Sequence, residues 1–125
     1  MDGFSGYNQI NISPADQHEM AFICPWGTFT YKKFPFGLKN ASVTLQCETS
    51  YVFHDIRHIV QPYLDDLSAH SAKRQDHPNH LGKIFRRCQH YRIYLNPHKC
   101  VFYIEFDRLL GFVIFKEGTR VDLLR

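Results

Sequence analysis

The chain has 125 residues, of which 44% are hydrophobic and 22% charged, with a formal net charge of +3. That length supports one domain with a modest core, and the composition excludes a disordered chain. No apolar run reaches the roughly 18 residues of a membrane span and no basic-then-apolar leader opens the sequence, so neither a membrane partner nor secretion is expected.

The opening "MDGFSGYNQINISP" carries two glycines and small polar residues, the pattern of a strand end running into a loop or short helix. "MAFICP" and "TFTYKKF" flank Trp26 and Gly27 and are rich in aromatic and β-branched residues, which predicts a hairpin. "FPFGLKN" reads as a turn. From Asn40 to about Ile56, Ala41, Leu45, Val52, Phe53 and Ile56 fall near helical spacing behind a capping Asn40. "HIVQPYL" and "LSAHS" predict two short strands around Asp65 and Asp66, with Pro62 marking an edge or a bulge. Asp76 and Pro78 then open a helix in which Leu81, Ile84, Phe85, Cys88 and Tyr91 follow the i, i+3, i+4, i+7 rule. "CVFYIEF" and "LLGFVIFK" predict two more strands, and Glu117-Gly118 the start of a last turn. This order indicates an α+β sheet with two helices packed on one face.

Four widely spaced cysteines, Cys24, Cys47, Cys88 and Cys100, read as reduced thiols in a chain without a secretory leader. The expected compartment is cytoplasmic or nuclear. Between residues 73 and 99, seven basic residues face a single acidic one. Such a surplus suits a polyphosphate partner, although a solvated helix face has the same composition.

Asp65 and Asp66 sit side by side between Tyr63-Leu64 and Leu67, flanks that predict a buried turn rather than a solvated one. A buried anionic pair is costly unless a cation compensates it. Magnesium does so, being hard and oxygen-seeking. Adjacent strand residues point to opposite faces, so a third carboxylate is needed, and Asp2 beside "GFSGY" is the candidate. Three such carboxylates permit two-metal phosphoryl transfer, with two Mg²⁺ ions and Mn²⁺ as a substitute.

Y-x-D-D alone is weak evidence. Here "MDGFSGYNQI", "WGTFTYKKFPFGLKNASVTLQ", "YLDD", "LNPHKC" and "LLGF" follow one another in the order and spacing of a reverse transcriptase palm. The chain resembles the Pol polyprotein of gypsy-class LTR retrotransposons, particularly plant ones, over essentially its whole length. The resemblance implies a polymerase palm-like antiparallel sheet, incomplete at the N-terminus, over 1–125, with fingers, thumb and RNase H absent. It implies RNA-directed DNA polymerase activity on an RNA or DNA template with a primer and dNTP, in company with the missing Pol regions. By position, Asp2, Asp65 and Asp66 match the catalytic, metal-binding triad. Tyr7 matches the steric gate against a 2′-hydroxyl, Phe36 and Gly37 the turn lining the nucleotide pocket, and Gln46 the glutamine of the following helix, which the resemblance likewise assigns to nucleotide binding, as it does Lys99. Lys99 resembles the basic residue that protonates pyrophosphate. Leu64 matches the position beside the primer end, and Leu110-Gly111 the primer grip.

The chain departs from that pattern in three places. "SVTLQ" replaces an aromatic-bearing helix start, leaving Leu45 where a ring is usual. Tyr103, Phe106 and Asp107 stand where a small turn is common. The sequence begins one residue before Asp2, which predicts fraying there and an isolated chain inactive by itself. The alternative reading is a non-catalytic, transposon-derived nucleic-acid-binding or interaction module. "HDIRH" is a near miss of a zinc motif at His54 and His58, His77 and His80 read as a surface pair at the helix start, and "GFSG" lacks a phosphate-loop lysine.

Overall fold

The computed structural model of the chain describes residues 1–3, 5–104, 106–109, 112–115 and 118–121. Short 3-10 turns, Gly6–Gln9 and Gln17–Met20, lead to a first hairpin of β1 (Ala21–Cys24) and β2 (Gly27–Thr30). Pro25 and Trp26 make its turn and Gly27 takes a φ of 134°, which suits glycine. Both faces are largely exposed, and the rings of Phe29 and Tyr31 gather on Phe22.

Helix α1 (Ala41–Val52) buries Ala41, Leu45, Thr49 and Val52, one stripe at helical spacing. It stops four residues short of the predicted end. Phe53 is fully buried, and its N–H still bonds the Thr49 carbonyl, but the chain then tightens into a 3-10 turn at His54–Ile56. Neither Asn40 nor Asp76 makes the side-chain cap bond its position suggested. Because α1 has ended, His54 and His58 do not share a helical face, and the His54 ring meets the Tyr51 carbonyl instead.

Strands β3 (Val60–Tyr63) and β4 (Asp66–Ala69) form the second hairpin. Its tight turn closes on the pair Tyr63 and Asp66, so the next pair, Pro62 and Leu67, is not hydrogen-bonded within the hairpin. The missing N–H of Pro62 therefore costs no ladder bond, and the Leu67 N–H donates outward to the Met1 carbonyl (2.7 Å). Helix α2 (His77–Tyr91) carries Pro78 in its first turn and buries Leu81, Ile84 and Cys88.

The core joins the end of α1, the second hairpin and α2 through Val52, Phe53, Ile59, Val60, Leu67, Ile84 and Cys88. All four cysteines are free thiols, and burial pushes the Cys88 pKa up to about 11, which keeps it inert. A bidentate pair bolts α2 to the corner after α1. Arg87 donates to both Asp55 oxygens at 2.8 and 2.7 Å and to the Val52 carbonyl at 2.9 Å. Its hydrogen bonds hold the Asp55 carboxyl below the usual carboxylate range.

Toward the C-terminus the strand boundaries differ from expectation. Residues 101–104 are not a strand: Tyr103 takes a φ of 55°, which ends any extended run, and Phe102 packs edge-on against Phe85 of α2. The extended segments are β5 (Phe106–Leu109), β6 (Phe112–Phe115) and β7 (Gly118–Val121), an antiparallel sheet in that order. Gly118 is the first residue of β7, and Glu117, with which the expected last turn begins, lies outside the described residues.

Two measurements check this account. A Cβ on Gly82 would meet nothing closer than the Arg86 guanidinium at 4.0 Å, so Gly82→Ala is expected to raise unfolding free energy by roughly 0.5–1 kcal/mol. Ile84→Ala is expected to lower it by about 2–5 kcal/mol, both read from urea titrations. Because the folded pKa of Asp55 is depressed, its contribution is present above the unfolded value near roughly 3.9 and is lost as pH falls through the folded value. Asp55→Asn should therefore flatten the acid limb of the stability profile below about pH 4.

Candidate active site

The turn between β3 and β4 consists of Leu64 and Asp65, both half-buried, and Asp66 beyond it is exposed, so the buried carboxylate pair expected from the apolar flanks is not found. Leu64 adopts a φ of 53°, a conformation a bulky side chain rarely takes. Surrounding bonds hold it there. Its N–H donates to the Gln46 side-chain oxygen at 2.7 Å, and the Gln46 amide nitrogen donates to the Pro62 carbonyl at 3.3 Å. From the other side, the Gly3 N–H donates to the Asp65 carbonyl at 2.6 Å.

Residues 1–3 run antiparallel beside β4, with Asp2 opposite Asp66. The N-terminal amine donates to the Leu67 carbonyl at 2.8 Å. On the far side Gly3 bridges Leu95, and the Asn96 N–H donates to the Asp2 carbonyl at 2.8 Å. The expected fraying at Asp2 is therefore not found: backbone bonds pin the segment along both edges. Directly opposed residues have Cβ atoms about 4.5–5.5 Å apart, so Asp2 and Asp66 are close neighbours.

Asp65 lies against the glycines. A Cβ built on Gly6 would stand 2.9 Å from the Asp65 Cβ, and one on Gly3 would stand 3.2 Å from the Asp65 carbonyl. Both positions thus need glycine for close approach rather than for φ. The three acidic residues share one hydrogen-bonded patch. Among the described residues, however, no three His, Cys, Asp or Glu side chains lie close enough together to hold a metal ion. The Asp2 carboxylate has a cation beside it: Lys99 Nζ lies 3.5 Å away.

Tyr7 and Phe36 meet edge to face with ring centroids 6.0 Å apart, and the Tyr7 hydroxyl lies 3.4 Å from that of Ser42 at the start of α1. Phe36 is 88% exposed, so its ring is open to a ligand. Gly37 takes a φ of 100° in the same turn. Gln46 spends its amide on the hairpin and on Ser50. Leu110 and Gly111 lie outside the described residues. A cavity of about 310 Å³ opens beneath the turn, lined by Gly3, Gly6, Glu48, Leu64, Asp65 and Arg92, among others. Sequence reasoning missed what Gly3 and Gly6 are for, because the residue that approaches them, Asp65, lies about sixty positions away in the chain. It also missed the amide clamp of Gln9, whose side chain exchanges two 2.9 Å bonds with the Tyr94 backbone.

Residues 1–114 match the sequence profile of the family described as reverse transcriptase (RNA-dependent DNA polymerase). Two curated relatives from Schizosaccharomyces pombe, the Transposon Tf2-3 and Transposon Tf2-7 polyproteins, are 28% and 27% identical over 120 residues. Those 120 residues are 94% of this chain and 9% of each polyprotein. Among solved structures, the foamy viral protease-reverse transcriptase in complex with dsDNA superposes with a TM-score of 0.84 at 19% identity, covering 97% of this chain and 25% of that one. The same enzyme in complex with an RNA/DNA hybrid gives 0.85 at 19% identity, covering 96% and 16%. At that identity the likeness establishes the fold: two helices on small antiparallel sheets, as in the palm.

The bracket around the turn generates a direct check. Gln46→Met keeps the volume but leaves the Leu64 N–H and Pro62 carbonyl without their partner, and is expected to cost about 1–3 kcal/mol in urea unfolding. Amide exchange at Leu64 should rise with it. Gly6→Ala should perturb Asp65 more than any other residue, read as the largest backbone chemical-shift change in the chain.

Proposed function

The chain belongs to the reverse transcriptase (RNA-dependent DNA polymerase) family, and from that membership we propose that it works as the palm of an RNA-directed DNA polymerase. The reaction is nucleotidyl transfer from a dNTP to a primer 3′-hydroxyl on an RNA or DNA template. The finer assignment, also ours, is to a gypsy-class, plant-like LTR retrotransposon Pol polyprotein acting in the cytoplasm or nucleus. No helix among the described residues is long and apolar enough to cross a membrane.

The observation that carries the reading is the pinning of Asp2 opposite Asp66, one residue from Asp65, at the edge of a cavity flanked by conformationally fixed backbone. The donor chemistry is that of a hard divalent cation, three carboxylates offering only oxygen, and binding one requires their side chains to draw closer together than they stand in this structure. Asp2, Asp65 and Asp66 are the residues that would hold Mg²⁺, or Mn²⁺ in its place. Such an ion, when bound, neutralises phosphate charge and lowers the pKa of the attacking hydroxyl.

The chain's own residues take the remaining roles. Tyr7, anchored at Ser42 and against Phe36, presents a rigid ring where a ribose 2′-hydroxyl would project. Phe36 and Gly37 line the base side of the same pocket. Gln46 fixes the turn, so that Leu64 flanks the primer end at constant distance from Asp65. Lys99, 64% exposed at its side chain and 3.5 Å from Asp2, is the residue assigned to give a proton to departing pyrophosphate, a reading its exposure and nearness to Asp2 support. Leu110 and Gly111 complete the set as the primer grip.

Two experiments test the proposal. Mn²⁺ titrated into the chain should broaden the signals of Asp2, Asp65 and Asp66 first, and Asp65→Asn should weaken that binding at least tenfold; broadening centred elsewhere overturns the site. Substituting this chain for the matching 120 residues of the Tf2-3 polyprotein should preserve primer extension, lost with Asp65→Asn. In that background Tyr7→Ala should raise ribonucleotide incorporation tenfold or more. Nucleic-acid binding with no Asp-dependent metal site and no extension would favour a non-catalytic module, for which the basic hollow of Lys83, Arg86, Arg87 and His90 on α2 is the observation.

A further inference from the structure

Away from the carboxylates, two imidazoles converge on a single hydroxyl. Ser71, in the loop leaving β4, has its Oγ 2.9 Å from His77 Nδ1 and 2.7 Å from His80 Nδ1. All three side chains are half-buried. The two histidines occupy the first turn of α2 at i and i+3, so they rise on one face. Tyr103 sets the ring of His77 from the other side, edge-on with centroids 5.7 Å apart, and does so from a left-handed backbone position. A tyrosine held at φ 55° is a local cost that a surface loop would not carry without a structural or binding reason.

The proton count at this cluster is tight. A hydroxyl donates once, so it satisfies only one imidazole nitrogen as an acceptor; the other Nδ1 must carry a hydrogen and donate. Both Nδ1 vectors nonetheless aim at the same point. The two nitrogens are at most 5.6 Å apart, because each lies within 2.9 Å of the Ser71 oxygen. A zinc ion sits about 2.0–2.1 Å from each imidazole nitrogen, which brings such a pair within roughly 4.2 Å. Binding one ion therefore draws the two nitrogens together by up to about 1.4 Å, with Ser71 Oγ moving out from between them.

We propose that His77 Nδ1, His80 Nδ1 and Ser71 Oγ form a binding site for a borderline divalent metal of the zinc, nickel or copper class. In the bound form both histidines are neutral with their hydrogens on Nε2, both Nδ1 lone pairs face the ion, and water completes the coordination. The donor set selects against magnesium and manganese, which prefer oxygen, so this site is chemically separate from the carboxylates of Asp2, Asp65 and Asp66. An ion here ties the loop after β4 to the start of α2.

The test is a titration of the 125-residue chain with ZnCl₂ or NiCl₂ in excess MgCl₂, followed by calorimetry and by the histidine ring signals in NMR. The expected result is one site, with the ring signals of His77 and His80 shifting ahead of those of the other six histidines and Tm rising with metal. His77→Gln and His80→Gln should each weaken binding tenfold or more, while Ser71→Ala weakens it less and His54→Gln/His58→Gln not at all. If shifts spread evenly over all eight histidines, or if His77→Gln/His80→Gln binds as tightly as the parent, the site does not exist. The ring signals of the unaltered chain decide the matter even where a variant fails to fold.

Discussion

A leucine held at positive φ fixes where the rest of the acidic patch can stand. The conformation of Leu64 is unfavourable by itself, and three bonds from distant parts of the chain offset it: two through the Gln46 amide and one from the Gly3 N–H. Those bonds link α1, the β3–β4 turn and the N-terminal segment into a single unit. Asp65 therefore cannot shift without disturbing a helix on one side and the strand bearing Asp2 on the other. Positional accuracy of this kind is what phosphoryl transfer demands of its carboxylates.

The close approach has a steric consequence and an electrostatic one. Glycine at position 6 lets the Asp65 Cβ come within a distance that a side chain there would not allow, and glycine at position 3 relieves a tight approach to the Asp65 carbonyl. It also draws carboxylates onto one short stretch of backbone, where their charges repel. Lys99 beside Asp2 relieves part of that repulsion, but an exposed ammonium is a weak and easily screened partner. A doubly charged ion compensates carboxylates far better than an exposed ammonium does, and that difference is the electrostatic ground for the metal site proposed above.

Much of this was legible in the sequence, and the illegible parts share a cause. The helix over His77–Tyr91, the two hairpins and the tight turn at Asp65 follow from periodicity and turn chemistry local to each segment. The end of α1 was misjudged because Phe53 and Ile56 satisfy helical spacing while the burial of Phe53 turns the chain. The strand assigned to 100–106 failed in the same way: its β-branched and aromatic composition was right, but packing of Phe102 on α2 and the left-handed Tyr103 prevail over it. Fraying at Asp2 was inferred from its place in the sequence, whereas its partners at Asp66, Leu67 and Asn96 are more than sixty residues away. The purposes of Gly3, Gly6 and Gln46 were hidden for that reason too: each is defined by a contact across the fold.

The two ends of β4 differ in donor chemistry, and that difference separates what each can bind. Asp66 starts the strand among oxygen donors; Ser71 follows its far end among imidazole nitrogens. Five residues in extended form reach about 16 Å, beyond the span of any shared coordination sphere. Hard ions favour the first environment and borderline ions the second, so neither need exclude the other. Yet both act on one short strand, one through Asp66 and one through the loop that β4 feeds into α2. Because β4 is also bonded to the segment bearing Asp2, the proposed histidine site and the carboxylates stand on one continuous hydrogen-bonded backbone, with no ligand in common.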